Sequence, residues 1–166
     1  MRKIGFTGGA RVSELGPASD VVLFFECIKT YVERANPETD WCLLTDRLYR
    51  RYLRREELKP AMELMRLVRE IFAKQPTKTS VEWDAEMLSN PQRTSLNPDR
   101  QSLASVFSEY FDSFEAVCGS AESFAETFNI YQPVRIAISD LPGLARDKNK
   151  PLAEYDALEG KPFWLQ

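Results

Sequence analysis

The chain of 166 residues contains no histidine. That absence removes serine or cysteine nucleophiles activated by imidazole, histidine general bases and His-built zinc or iron sites, because each needs a ring nitrogen. An enzyme made from this sequence would have to work with carboxylates, lysine, tyrosine, cysteine or a hard metal. Cysteine is scarce too. Cys27, Cys42 and Cys118 are an odd number with no CxxC spacing, which favours a reducing compartment over a disulfide scaffold. Long apolar runs are missing as well: the longest, residues 21–25, has five members, against the roughly 20 that a membrane-crossing helix needs. The opening MRKIGFTGGARVSELGP lacks the apolar stretch of a signal peptide. A cytoplasmic protein without membrane attachment is expected.

Apolar residues are plentiful, at 43% of the chain, with 11% aromatic. A chain of this length buries roughly 70% of its unfolded surface, so it needs no disulfide or metal to hold a core. One globular domain over residues 1–166 is expected. The net charge of −3 conceals an uneven distribution. Residues 1–74 carry 14 basic and 11 acidic side chains, residues 75–130 carry 3 and 9, and residues 131–166 carry 5 of each. The middle of the chain is therefore the acidic part, and the balance as a whole gives no support to nucleic-acid binding.

Near the start, Lys3-Ile4-Gly5-Phe6-Thr7 reads as a short strand running into a turn at Gly8-Gly9. A helix opens at Gly16-Pro17 and places Val21, Phe24, Phe25, Ile28, Tyr31 and Val32 on one face before Asn36-Pro37 stops it. A second spans about residues 56–74, with Leu58, Ala61, Met62, Met65, Val68 and Phe72 as its stripe. A third begins near Asn97-Pro98 or Ser102, turns Leu103, Phe107, Tyr110, Phe111, Phe114 and Val117 inward, and is expected to break or bend at Gly119-Ser120. Residues 81–87 alternate apolar and acidic, the pattern of a half-buried strand or the start of an amphipathic turn, and Val134-Arg135-Ile136-Ala137-Ile138 reads as a strand. Residues 47–53 fit either class. The expected fold is α+β, three main helices packed on a small, mostly antiparallel sheet. Residues 140–166 form a proline-containing tail, expected to dock through Tyr155, Phe163 and Trp164.

Gly5-Phe6-Thr7-Gly8-Gly9 has no Gly-Lys-Ser/Thr ending and reads as a turn, not a phosphate loop. Cys27 and Cys118 fall beside apolar stripes and are expected to be buried; Cys42 has no evident placement. No catalytic residue, metal-ligand set or cofactor site emerges. Two charged groupings remain. On a strand, Glu82, Asp84 and Glu86 would project together with Trp83 on the reverse face, and Asp112, Glu115, Glu122 and Glu126 extend the acidic middle. Such a surface suits a cationic partner, with Glu82, Asp84, Glu86, Asp112 and Glu115 as the candidate interface. The other grouping is Arg47, Arg50, Arg51, Arg54 and Arg55, either a patch for phosphate or nucleic acid or a solvated face whose stems cover the core.

In order along the chain, Gly5-Phe6-Thr7-Gly8, Phe24-Phe25, Leu48-Tyr49 ahead of Leu58/Ala61/Met62, Val81-x-Trp83-Asp84 and Tyr110-Phe111 resemble the bacterial polymorphic-toxin immunity proteins, specifically the immunity protein 70 family. Such proteins are CdiI-like members of contact-dependent growth inhibition systems. The resemblance spans about residues 1–138 and implies a small cytoplasmic α+β protein that binds and blocks a cognate toxin domain without catalysis of its own. A nuclease toxin, with its basic cleft, is the class that an acidic inhibitor suits.

Overall fold

The computed structural model describes residues 3–91, 93–139 and 162–165. Strand β1 (Lys3–Gly8) turns back through Gly9 and Ala10 into β2 (Arg11–Pro17), and β3 (Arg135–Ile138) pairs with the other edge of β1. The sheet order is β2-β1-β3, antiparallel throughout. Gly9 adopts φ +60° at the first of the two loop positions, as a type II′ hairpin turn requires. The β2 strand is absent from the sequence reading. Residues 11–15 carry no assignment there, although the Gly-X loop after β1 is itself a hairpin signal.

Helix α1 (Ala18–Cys27) starts behind Pro17 and continues as a π-helical segment, Ile28–Glu33. A second π-helical segment, Leu43–Leu48, precedes Leu53, whose N–H donates to the Val134 carbonyl at 2.8 Å. The ambiguous 47–53 stretch therefore divides into a helical turn and an isolated bridge to the segment leading into β3. Next come the 3-10 turn Arg55–Glu57, α2 (Leu58–Phe72) and two single-turn helices, α3 (Thr77–Ser80) and α4 (Ala85–Leu88). Helix α5 (Leu103–Val106), capped by Ser102, leads into α6 (Ser108–Phe128). The architecture is α+β.

Of the two alternatives for residues 81–87, no strand forms: the described sheet consists of β2, β1 and β3, and the segment follows the turn alternative. Asp84 instead accepts the Glu86 N–H at 2.9 Å and starts α4. Helix α6 runs through Gly119-Ser120 without a break; the irregular residue is Phe107, with φ −101° and ψ 20°, between α5 and α6. A single glycine in a helix costs only about 1 kcal/mol, which the buried stripe of a 21-residue helix easily outweighs. Asn129, at φ 53°, ends α6.

Phe24 of α1 sits at the centre of the core, with ring centroids of Phe25, Phe72, Phe107, Tyr110 and Phe111 at 4.9 to 5.9 Å. These contacts join α1, α2 and α6, each pair adding about 0.5–1.5 kcal/mol beyond area burial. Phe114 meets Phe6 edge-on at 5.7 Å and joins α6 to the sheet. The 3-10 turn Phe163–Leu165 packs near β3, where Trp164 is buried, donates from Nε1 to the Tyr49 carbonyl at 3.1 Å and lies edge-on to the Tyr49 ring. Of the three aromatic residues expected to dock, Trp164 is the one whose side chain is described. Tyr155 and the Phe163 side chain lie outside the described residues.

Candidate functional site

The five acidic candidates lie on three different elements. Glu82 and Asp84 are exposed on the coil after α3, Asp84 capping α4, while Glu86 in α4 sits 3.4 Å from Arg93. Asp112 and Glu115 are on α6 and face α2, where Arg69 reaches Asp112 at 3.0 Å and Arg66 reaches Glu115 at 2.9 Å. Exposed pairs of this kind contribute about 0.2–1 kcal/mol each. They also offset the charge that Asp112 and Glu115 present to solvent. The uniform acidic face inferred from the sequence is thus divided: Glu86, Asp112 and Glu115 face arginines, whereas Glu82 and Asp84 form no ion pair among the described residues.

The arginine run is dispersed in the same way. Arg47 lies over the Tyr52 ring at 5.2 Å with its Nε 3.5 Å from Glu57, and Arg50 lies 3.7 Å from Asp46. Arg54 caps the following turn, its N–H donating to Glu57 at 2.9 Å, and Arg55 reaches Glu122 on α6 at 3.0 Å. Arg51 is partly buried. Most of the guanidinium charge is therefore directed to local carboxylates, the arrangement of a face that covers the core rather than a continuous phosphate track.

Glu82 takes part in a different grouping. A cleft of about 290 Å³ opens between the exposed side of α1 with its π-helical extension and residues 80–82. Leu23, Cys27, Tyr31 and Val81 supply its apolar lining; its charged lining residues are Glu26 and Glu82. The Tyr31 hydroxyl donates to the Ser80 carbonyl and holds the two sides together. Burial, helped by Glu26, pushes the Cys27 thiol up to about 12, so it is an apolar wall and not a nucleophile. An apolar trough with two carboxylates at its rim accommodates the stem and head of a lysine or arginine. Glu26 was not anticipated. On one sequence it is an ordinary solvated residue beside the Phe24/Ile28 stripe, and nothing local links it to Glu82.

The remaining cysteines are free: Cys118 is buried and Cys42 exposed. Contact with Asp40 keeps the Cys42 thiol protonated above its ordinary range, so exposure does not make it reactive. Among the described residues no group of three His, Cys, Asp or Glu side chains could hold a metal ion. Nor is any described helix long and apolar enough to cross a membrane. Compared with known families, characterised proteins and solved structures, the chain finds no match.

Proposed function

We propose that this protein is a stoichiometric inhibitor, an immunity protein that acts in the cytoplasm by covering the active site of a cognate toxin domain, with a nuclease as the fitting class. The observation that carries the reading is the cleft rimmed by Glu26 and Glu82. A basic side chain from a nuclease's substrate groove would lay its stem on Leu23 and Val81 and place its charge between the two carboxylates. Asp84, exposed next to this rim, extends the negative field outward. Such a field raises the encounter rate with a basic partner and selects against acidic ones. The resemblance along residues 1–138 supplies the biological class.

Co-expression with the toxin domain encoded beside it tests the reading directly. Rescue of growth and a 1:1 complex are expected; cell death at the same rate with and without the protein overturns it. In the purified pair, Glu26→Lys with Glu82→Lys is expected to slow association at least tenfold at low salt and flatten its salt dependence. Unchanged rates would place the interface elsewhere. The competing reading, a nucleic-acid or phosphate module on the arginine run, needs guanidinium groups available to phosphate. Arg47, Arg50 and Arg55 already face Glu57, Asp46 and Glu122.

A further inference from the structure

A second pocket, of about 100 Å³, lies between Leu15 at the end of β2, the 95–100 segment and the start of α6. Tyr110, in the first turn of α6, forms part of its wall and is 2% exposed, yet its hydroxyl has no hydrogen-bond partner. Such a group is uncommon in a folded protein, and its usual explanation is a missing partner in adjoining space. Burial first, and then the field of the Asp20 carboxylate, raises the Tyr110 pKa. Asp20 already receives Thr94 Oγ1 at 2.9 Å, Ser95 N–H at 2.8 Å and Ser95 Oγ at 3.1 Å.

The rest of the lining is rich in donors. Arg100 has no ion pair among the described residues, Asn97 uses its Oδ1 to accept the Asp99 N–H and so leaves its amide NH₂ as donor, and Ser108 contributes a hydroxyl at the amino end of a 21-residue helix. That end carries the positive pole of the helix dipole. Glu109 is the one acidic lining residue, and it is exposed to solvent. A space of 100 Å³ holds about three waters or a single tetrahedral oxyanion.

We propose that this pocket binds a small tetrahedral oxyanion, of the size of inorganic phosphate, held by Arg100, Asn97, Ser108, the amino end of α6 and the otherwise unpartnered Tyr110 hydroxyl. The site is independent of the Glu26/Glu82 cleft and of the inhibitor reading. Its anion accepts from the buried phenol and adds to the negative field that Asp20 and Glu109 already place there, a repulsion that Arg100 and the other donors have to outweigh.

The test is a phosphate titration of the full chain at constant ionic strength, balanced with sodium chloride, read by melting temperature and by amide chemical shifts. A saturable rise in melting temperature is expected, with shifts concentrated at residues 108–110. Arg100→Gln, an exposed change that leaves the core intact, should abolish it. Tyr110→Phe should keep its melting temperature in chloride, because a lone hydroxyl is removed, but lose affinity for phosphate at least tenfold. No phosphate effect, or a non-saturating rise shared equally by all three proteins as from general salt exclusion, overturns the proposal and leaves the pocket to water.

Discussion

Asp20 lies in the first turn of α1, where its charge suits the positive end of the helix, but it is also fully buried. Its carboxylate joins α1 to residues 94 and 95 through three hydrogen bonds. Removing it strands the Ser95 N–H and the Thr94 hydroxyl, while Ser95 Oγ keeps the Leu15 carbonyl at 3.1 Å, so Asp20→Ala is expected to cost about 3 kcal/mol in urea unfolding. Burial outweighs these donors and raises its pKa above the ordinary aspartate value. Between the ordinary and the raised value the folded state therefore binds more protons than the unfolded one. Stability falls as pH rises through that interval, and the contribution is fully present only below it. The difference in stability between the native protein and Asp20→Asn, followed from acid to neutral pH, is expected to show this slope, and a flat difference would contradict it. None of this is legible locally, since an aspartate in a first turn reads as a surface residue and its partners lie 74 and 75 positions away.

At the scale of elements, the hairpin and α6 determine each other. A Cβ on Gly9 would come within 2.4 Å of the Ser120 carbonyl, and Ser120 Oγ accepts the Ala10 N–H at 3.2 Å. The β1–β2 turn is thus seated on the helix at the point where the sequence suggests a break. Gly119, one residue earlier, faces solvent with nothing within 4 Å of an added Cβ. Opposite outcomes are expected in urea denaturation: Gly119→Ala should gain about 0.5–1 kcal/mol, whereas Gly9→Ala, with its positive φ and the close carbonyl, should lose about 2 kcal/mol. Helix stripes were readable because period 3.6 repeats over many residues, as in Leu58, Ala61, Met65, Val68 and Phe72, all buried on α2. The alternation over residues 81–84 persists in exposure without becoming a strand, because alternation records which side faces water and not whether a neighbouring ladder exists.

Across the whole molecule, the last described segment closes the core. Trp164 covers Tyr49, which packs edge-on to Phe25 at 5.0 Å, so the tail reaches the same aromatic network that α1 organises. Trp164→Ala is expected to lower stability by about 3 kcal/mol with the helical content retained, as measured by chemical unfolding and circular dichroism. Charge behaves differently at this scale from the way it reads along the chain. The acidic middle and the basic run are partly one system, since Arg55 pairs with Glu122 and Arg66 and Arg69 pair with Glu115 and Asp112. By itself, the sequence determined the absence of imidazole chemistry, the three amphipathic helices, the β1 and β3 strands and the burial of Cys27 and Cys118, all set by composition or short-range period. Tertiary structure alone decided that residues 81–88 end in a helical turn, that Glu26 joins Glu82 across a cleft, and that the buried Asp20 acts electrostatically on the buried Tyr110. Each of these depends on which distant backbone or charge arrives opposite a residue, and no local pattern encodes that.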